Sequence, residues 1–482
     1  MKNAYLFIFL LLAIIGCKKS DDSKIIQSFQ VFVIQGVNDA TLIWDSVEGY
    51  SDSLLDFDIF LNDSLIAAHL KSRTYKIVNL SEHSEYKVSV TAFSGNTKIA
   101  EQSRIFTTLV NQAPKAFNIR EIEIRNNAVS LKWTKSDDPE NDSVYYDVYL
   151  DNDLLISDIT ELSDEISGLV AGKYYKGEII ARDKAGNSQK VIFNFTTLLS
   201  DNSTLVHRFF KYQGYQREFA YYLPASYNST VDMPLVISLH GANGNAWKEL
   251  EKTSFKSIAE KENFILLMPQ ALLGTFNGET IYQWNAHYIF QWDDVSLLNQ
   301  LIDFMFTEYH IDLSKVYISG MSNGGFMTFF AARGLQHRIA AIAPIAGLIS
   351  DNVFINYSLN RPMPLCYMHG TADQLVRIDG NPSANTIISF FVENNKCVTT
   401  AEITQLPDIN QNDNSTVTLY HYNGYWNDSE IQYYKIIGGG HSVPGVEAGA
   451  NMDINAYEVI WSFFSRHSYP DHAAGKIVEL GN

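Results

Sequence analysis

Short runs of alternating apolar and polar residues dominate the first part of the chain, over residues 25–109. They include SFQVFVIQ, ATLIWD, FDIFLN and YKVSVTAFS, and turn-forming residues such as Asn, Asp, Ser and Gly separate them. Such alternation places one face of a strand against a core and the other in water. Because several short strands in succession are typical of a β-sandwich, we predict an all-β domain over residues 25–109.

The same pattern returns over residues 113–199, in runs such as AVSLKWT, YYDVYLDNDLLI and VIFNFTTL. The two segments align: Trp44 corresponds to Trp133, the spacing of a leucine before Tyr86 is the spacing before Tyr175, and FTTL ends both. The leucine-to-tyrosine spacing is typical of a tyrosine corner, in which the hydroxyl bonds to the backbone. These residues resemble fibronectin type III domains, which implies two β-sandwiches acting as spacers or weak binding modules. The alternative is that one exposed face of these domains binds glycans.

Strand–helix alternation replaces this pattern over residues 204–470. Apolar runs such as MPLVISLHG, FILLMPQ, KVYISG and PMPLCYMHG alternate with amphipathic stretches such as DDVSLLNQLIDFMFTEYH and INAYEVIWSFFSRH. Apolar strands joined by helices indicate a mostly parallel sheet covered on both faces. We predict an α/β domain here, followed by a tail over residues 471–482.

The first 16 residues have the layout of a signal peptide: Lys2, an apolar run over residues 5–15, then Gly16. The sequence AIIGC resembles a bacterial lipobox, which implies cleavage before Cys17 and acylation of that cysteine. The linker over residues 17–24 contains KKSDDS, which resembles the surface-export signal of Bacteroidota lipoproteins. The expectation is an outer-membrane lipoprotein, surface-exposed or secreted, that meets the membrane only through its lipid. An ordinary signal peptide or a single membrane anchor is the alternative.

Composition narrows the classes of partner. A hydrophobic content of 46% with 19% charged residues fits packed globular domains. The net charge of −18 argues against nucleic acid or an anionic lipid surface as the main partner, since both would repel the chain. Beyond Cys17, the sequence has Cys366 and Cys397, which are too few for a disulfide scaffold and whose pairing stays open. No Cys/His cluster has zinc spacing, so no metal site is expected.

Gly320-Met321-Ser322-Asn323-Gly324 has the form G-x-S-x-G, between the strand-like KVYIS and the helix-like GFMTFFAARGL. A sharp strand-to-helix turn exposes the serine hydroxyl, and glycine two residues to either side removes steric conflict. The alternative is a glycine-rich connection without chemistry. The context favours Ser322 as a nucleophile.

A serine hydroxyl needs a base and an acid that orients the base. In the order Ser…Asp…His, Asp373 follows the strand in LCYMHGTAD, and His441 stands in the loop GGGHSVPG. Asp379 is a weaker rival for the acid. The rival histidines for the base are His369, His421, His467 and His472. Of these, His369 and His467 are interpreted as structural.

Acyl transfer also needs donors for an oxyanion. The backbone N–H of Asn323 is one candidate, and the N–H of Ala242, in the loop LHGANGNA after an early strand, is the other. His240 is interpreted mainly as a loop-shaping residue and secondarily as a substrate contact. In the aromatic stretch TFNGETIYQWNAHYIFQWDDV, Trp284 is the first candidate for stacking on substrate, with packing under the loop as the alternative.

The ordered set LHGANGNA, SGMSNGG, HGTADQLV and GGGHSVPG resembles the polyhydroxybutyrate depolymerase/feruloyl esterase group of carbohydrate esterase family one. The resemblance implies an α/β-hydrolase fold, Ser322 as nucleophile, Asp373 as acid, His441 as base, and no cofactor. Two departures stand out: Val443 replaces the family's tryptophan beside the base, and Ala242 stands where many relatives carry cysteine. A family disulfide through Cys397 therefore stays open.

The leading hypothesis is a secreted or surface-anchored serine carboxylic ester hydrolase that acts on feruloyl or acetyl groups of a plant polysaccharide such as xylan. A polyhydroxybutyrate or other short polyester is the alternative substrate. A serine peptidase of the same fold and a non-catalytic surface protein that binds glycans are the competing functions. The oligomeric state is not indicated by the sequence.

Overall fold

The computed structural model describes residues 29–199, 203–276, 278–424 and 429–469. The predicted signal peptide, Cys17, the linker, His472 and the tail over 471–482 lie outside the described residues. Within the described ranges, no helix is long and apolar enough to cross a membrane. The described residues divide into two compact units, the first comprising 29–114, 138–143 and 183–187, and the second the remainder.

The first unit contains two antiparallel sheets with strand orders β1-β2-β5 and β4-β3-β6-β7. The strands are β1 (Val31–Gln35), β2 (Asp39–Trp44), β3 (Asp56–Leu61), β4 (Ser64–Leu70), β5 (Thr74–Val78), β6 (Glu85–Ser94) and β7 (Thr97–Thr107). Buried Trp44 packs edge-on against Phe57 at 5.4 Å between ring centroids. The Tyr86 hydroxyl accepts the N–H of Ser81 at 2.8 Å, which is the bond expected of a tyrosine corner.

The same topology recurs at the start of the second unit, with β8-β9-β12 and β11-β10-β13-β14 in the corresponding orders. The strands are β8 (Ile119–Ile124), β9 (Ala128–Trp133), β10 (Tyr145–Leu150), β11 (Asp153–Ile159), β12 (Ser163–Ser167), β13 (Tyr174–Arg182) and β14 (Ser188–Thr196). Trp133 packs against Tyr146 at 5.6 Å, and the Tyr175 hydroxyl accepts the N–H of Val170 at 2.9 Å. The internal repeat seen in the sequence is thus a repeat of strand order and of corner geometry.

The rest of the second unit alternates strands and helices. The strands are β15 (Thr204–Tyr212), β16 (Tyr215–Leu223), β17 (Met233–Leu239), β18 (Ile265–Pro269), β19 (Leu272–Phe276), β20 (Glu279–Gln283), β21 (Ile311–Met321), β22 (Ala341–Ile345), β23 (Leu365–Gly370), β24 (Glu402–Gln405), β25 (Thr416–Tyr422) and β26 (Ile431–Ile437). The helices are α1 (Ala246–Lys252), α2 (Phe255–Glu262), α3 (Asp294–Glu308), α4 (Asn323–Gly334), α5 (Asp351–Phe354), α6 (Ala384–Asn394) and α7 (Ala456–Phe464).

Six of these strands form a parallel run, in the order β18-β17-β21-β22-β23-β26, with antiparallel strands at both ends. On β17, Val236 packs into a core with residues of α1, α2 and α7, whereas Leu235 and Ile237 pack into another with residues of α3, α4 and α6. Helices therefore cover both faces of the sheet, as strands that are apolar on both sides require. The prediction of a β-rich N-terminal region followed by a mostly parallel, helix-covered sheet is confirmed. The assignment of the sandwiches to the fibronectin type III class stays a prediction.

One connection was not indicated by the sequence. β15 pairs antiparallel with β8, in a register that runs from Leu205 opposite Ile124 to Arg208 opposite Glu121. The sheet β12-β9-β8 of the second sandwich therefore continues into the α/β sheet as one thirteen-stranded sheet.

Candidate active site

Ser322 occupies the turn between β21 and α4. Its φ of 56° and ψ of −119° are unfavourable for a residue with a side chain, so the surrounding structure must hold it there. Its N–H donates to the carbonyl of Ile345 at the end of the neighbouring β22, at 2.8 Å. The turn therefore fixes the serine at the carboxyl edge of the parallel strands, where ligands bind in open α/β sheets.

The glycines of the motif are required by close backbone approach. A Cβ on Gly320 would lie 2.5 Å from the carbonyl oxygen of Gly324, and a Cβ on Gly324 would lie 2.1 Å from the carbonyl oxygen of Leu239. Both distances are far below ordinary van der Waals contact, and both involve backbone atoms that cannot rotate away. The G-x-S-x-G spacing is thus a packing requirement of this turn.

His441 bridges Ser322 and Asp373. Its Nε2 lies 2.9 Å from the Ser322 Oγ, and its Nδ1 lies 2.7 Å from the Asp373 Oδ2. The Asp373 side chain is fully buried, and its other oxygen accepts the N–H groups of Leu375 and Val376 at 2.9 and 2.8 Å. A carboxylate held in this way makes Nδ1 the protonated nitrogen, so Nε2 is left to accept the serine proton. The structure therefore brings all three predicted triad side chains together.

The acid and base loops are joined directly. The N–H of Ala372 donates to the carbonyl of Gly439 at 2.9 Å, and the N–H of Gly438 donates to the Thr371 hydroxyl at 2.9 Å. A Cβ on Gly370 would lie 2.2 Å from the Gly439 carbonyl oxygen, so only glycine fits at this crossing. Gly438 and Gly439 let the loop before His441 reach the end of β23, which places the imidazole beside Asp373.

The rival residues lie elsewhere. Asp379 is exposed and forms a surface ion pair with Arg377 at 2.8 Å, and His421 pairs with Glu430 at 2.7 Å. His467 is buried beneath α7, with its Nδ1 2.9 Å from the Phe463 carbonyl oxygen.

His369 is also buried, but it stands directly behind the acid. Its Nε2 lies 2.7 Å from the Val376 carbonyl oxygen and 3.6 Å from the Asp373 Oδ2. Burial lowers the pKa of His369, so the ring is neutral and its Nε2–H donates to Val376. The structural interpretation of this histidine fits its contacts, because it supports the loop on which the acid stands.

The predicted oxyanion donors are the backbone N–H groups of Asn323 and Ala242. Asn323 begins α4 directly after the serine, and a Cβ on Gly241, the residue before Ala242, would lie 3.6 Å from the Ser322 Cβ. Neither the Asn323 nor the Ala242 N–H has an acceptor in the part of the chain that the structure describes. The start of a helix also favours negative charge, through the dipoles of its free N–H groups.

His240 shapes the loop that carries Ala242. The side chain is almost fully buried; Nδ1 lies 2.7 Å from the Gly241 carbonyl oxygen, and Nε2 accepts the N–H of Ala271 at 3.1 Å. Burial lowers its pKa to about 4, which keeps the ring neutral with the proton on Nδ1. With both nitrogens occupied, His240 is not available for a substrate contact, in line with the loop-shaping interpretation.

Trp284 was wrongly predicted to stack on substrate. Its side chain has 0% exposure, its ring N–H donates to the His240 carbonyl at 2.9 Å, and its backbone N–H donates to the Asn323 Oδ1 at 2.6 Å. An aromatic stretch in a loop does not reveal which ring faces inward, and here the Trp284 ring packs beneath the loop that carries His240 and Ala242. Sequence reasoning also missed the Asn323 carboxamide, which ties the backbone of Trp284 to the start of α4.

A buried ion pair that the sequence did not reveal anchors the loop around Trp284. The side chains of Arg217 on β16 and Asp294 at the start of α3 are nearly inaccessible to solvent. The Arg217 Nη2 lies 2.5 Å from the Asp294 Oδ1. The other Asp294 oxygen accepts the Asn285 N–H at 2.8 Å and the Trp292 ring N–H at 3.2 Å. No local pattern signals such a pair, because its partners are separated by 77 positions.

Both cysteines of the folded part are free and buried. Burial raises the pKa of the Cys397 thiol to about 11, and its Sγ–H donates to the Ser429 carbonyl. Among the described residues, no group of three or more His, Cys, Asp or Glu is arranged to hold a metal ion.

Residues 228–405 match a family model described as phospholipase/carboxylesterase. Over 255 residues the chain is 29% identical to a bifunctional acetylxylan esterase/xylanase of Neocallimastix patriciarum, an alignment that covers 53% of this chain and 34% of that relative. Over 121 residues it is 31% identical to poly(3-hydroxyalkanoate) depolymerase C of Paucimonas lemoignei, covering 24% of this chain and 28% of that relative. The chain thus spans about a third of the length of these curated relatives.

The structure is similar to the solved structure of an acetyl xylan esterase from Aspergillus awamori, with a TM-score of 0.39 and 15% sequence identity. The superposition covers 52% of this chain and 94% of that chain. The family match includes Ser322 and Asp373, ends before His441, and shows similarity to carboxylic ester hydrolases.

Proposed function

We propose that this chain is a serine carboxylic ester hydrolase that works through a Ser322–His441–Asp373 triad. The observation that carries the proposal is the continuous hydrogen-bonded line from the Ser322 Oγ through both ring nitrogens of His441 to buried Asp373. With the Nδ1 proton bonded to Asp373, Nε2 of His441 lies within hydrogen-bond reach of the Ser322 hydroxyl and can accept its proton.

The reaction follows from these contacts. His441 Nε2 takes the proton of Ser322 as Oγ attacks the ester carbonyl, and Asp373 stabilises the resulting imidazolium. The oxyanion accepts the N–H groups of Asn323 and Ala242. Imidazolium then protonates the departing alcohol, and an acyl-serine remains. Water, deprotonated by the same nitrogen, attacks this acyl group and releases the carboxylic acid.

The proposed substrate is an acetyl or feruloyl ester on a plant polysaccharide such as xylan. It is supported by the similarity to a protein named as an acetylxylan esterase and by the sandwich domains, which suit an enzyme that works on polymers. A polyester is the second candidate, supported by the similarity to a protein named as a poly(3-hydroxyalkanoate) depolymerase. We further propose a lipid anchor at Cys17, surface exposure on an outer membrane, and fibronectin type III identity for both sandwiches.

A substrate panel tests the proposal. Purified protein and its Ser322→Ala variant are compared on p-nitrophenyl acetate, acetylated xylan, methyl ferulate and polyhydroxybutyrate. The unsubstituted protein should hydrolyse p-nitrophenyl acetate and release acid from acetylated xylan or methyl ferulate, whereas the variant should do neither. Activity on polyhydroxybutyrate alone would support the polyester, and full activity of the variant would refute the triad.

A further inference from the structure

A cavity of about 1290 Å³ lies in the second unit, at the place where the second sandwich continues into the α/β sheet. Its floor is one face of β8, β15 and β16. On this face, His207 stands opposite Ile122 of β8, and the neighbouring Phe209 stands opposite Glu218 of β16. The continuous sheet, which joins the two domains, therefore also builds the cavity.

The walls come from both domains. Trp247 on α1 and Lys256 on α2 belong to the α/β part, whereas Tyr174 on β13 and Leu199 after β14 belong to the sandwich. Tyr174 is 50% exposed and Leu199 is 78% exposed, so the sandwich presents apolar surface to the cavity. Exposed apolar side chains that line one cavity mark a candidate binding site.

Two buried polar side chains that line the cavity lack hydrogen-bond partners. His207 is 2% exposed and neither ring nitrogen has a partner, since the nearest carboxylate oxygen, on Glu218, is 3.7 Å from Nε2. The Thr253 hydroxyl, on a residue 6% exposed, is also unpartnered. Nearly all buried polar groups in proteins are hydrogen-bonded. A small rotation of either side chain toward the cavity that it lines would let a ligand supply the missing partner.

The chemistry of the lining selects the ligand class. Burial lowers the pKa of His207, so its neutral ring offers one donor and one acceptor, which is what a hydroxyl group pairs with. The charged side chains of the lining balance, with two carboxylates and two ammonium groups: Glu218, Glu260, Lys248 and Lys256. This balance disfavours a strongly charged ligand, and the many amide and hydroxyl side chains disfavour a purely apolar one.

Aromatic rings complete the set. The Trp247 ring packs edge-on against the His207 ring at 3.7 Å between centroids, and the Phe209 ring lies 4.3 Å from the His207 ring. Tyr174 also lines the cavity. Flat aromatic surfaces beside groups that pair with hydroxyls fit the apolar faces and the hydroxyl rims of sugar rings. The lining thus fits a neutral polyhydroxylated chain.

A short stretch of chain connects the cavity to the surroundings of Ser322. Gly241 lies against Ser322, and Asn245, four residues further on and at the start of α1, lines the cavity. Four residues span at most about 14 Å. One edge of the cavity therefore lies within about 14 Å of Gly241, a distance that a few sugar units of an extended polymer would cover.

We propose that this cavity binds a neutral oligosaccharide segment of the polymer whose ester reaches Ser322. This inference rests on the proposed function for its choice of polymer, while the lining alone indicates a sugar chain. The second sandwich is then part of the substrate-binding surface and not only a spacer.

Calorimetric titration of the Ser322→Ala protein with xylohexaose, which carries no ester, tests the inference. We expect saturable binding at one site. Adding Trp247→Ala or Tyr174→Ala should weaken it by about tenfold or more, because each removes an aromatic surface. The matched control is Leu154→Ala, also half-exposed on the second sandwich but outside the cavity; it should bind as its parent does.

Thermal unfolding of each variant shows whether the fold is kept, and exposed Tyr174 provides a test that does not disturb the core. Absence of xylohexaose binding, or undiminished binding by both cavity variants, would overturn the inference. Turnover of p-nitrophenyl acetate by the unsubstituted protein tests the triad separately. Esterase activity without xylohexaose binding would refute only the proposal that the cavity binds an oligosaccharide. Xylohexaose binding without turnover would refute only the proposed function.

Discussion

Replacing Gly324 with alanine should displace the turn that carries Ser322. The substitution leaves the identity of all three triad residues unchanged. The new Cβ would lie 2.1 Å from the Leu239 carbonyl oxygen and 2.7 Å from that of His240, whereas ordinary contact begins at 3.4 Å. The start of α4 must therefore move by about 1 Å or more, and Ser322 and the Asn323 N–H must move with it. A misplacement of about 1 Å at a reacting centre costs roughly a hundredfold in rate.

The assay is kcat and KM for p-nitrophenyl acetate, with circular dichroism to confirm the fold. We expect kcat to fall about a hundredfold with a smaller change in KM, because the displaced groups act mainly in the transition state. Gly440→Ala is the matched control, since a Cβ there meets nothing within 4 Å; its kcat should stay within about twofold of the parent. A folded Gly324→Ala protein with the parent's kcat would refute the steric account of the motif.

Three further outcomes are expected. Asp373→Asn should lower kcat by about 10⁴, because the amide no longer fixes the proton on Nδ1 of the base; a loss below about tenfold would argue against that role. Arg217→Met should cost about 3–5 kcal/mol in urea unfolding, because it leaves buried Asp294 unpaired, and the double variant with Asp294→Leu should recover much of this; a cost near zero would contradict the pairing. Because burial lowers the pKa of His240 from 6.5 to about 4, only the unfolded chain binds this proton between those values. The contribution of neutral His240 to the free energy of unfolding is therefore fully present above pH 6.5, and it falls by about 3 kcal/mol as the pH drops to 4. The His240→Gln substitution should remove that part of the pH dependence of unfolding.

The fold and the triad were accessible from the sequence because each leaves a local signal. Alternation with a period of two marks the sandwiches, and apolar runs joined by helical stretches mark the parallel sheet. The motif around Ser322 is readable because backbone atoms approach within 2.5 Å of where a Cβ would stand, which forces glycine at fixed spacing. Asp373 and His441 follow strand ends, so topology alone places them at one edge.

The features that the sequence did not reveal depend on side-chain direction or on contacts distant along the chain. Trp284 and Trp292 stand in the same aromatic stretch, and nothing in their spacing shows that Trp284 has 0% exposure and supports the loop that carries His240 and Ala242. The pairing of β8 with β15 joins strands that the sequence assigns to different domains. The cavity built on that pairing was therefore hidden as well.

Labelling of the active site tests most directly whether Ser322 is the nucleophile. Protein treated with diethyl p-nitrophenyl phosphate is digested, and the modified peptide is identified by mass spectrometry while p-nitrophenyl acetate turnover is followed. We expect one diethylphosphoryl group per chain, on Ser322, with loss of turnover in parallel with labelling, and neither labelling nor turnover in Ser322→Ala. Stoichiometric labelling of another residue, or undiminished ester hydrolysis by Ser322→Ala, would contradict it.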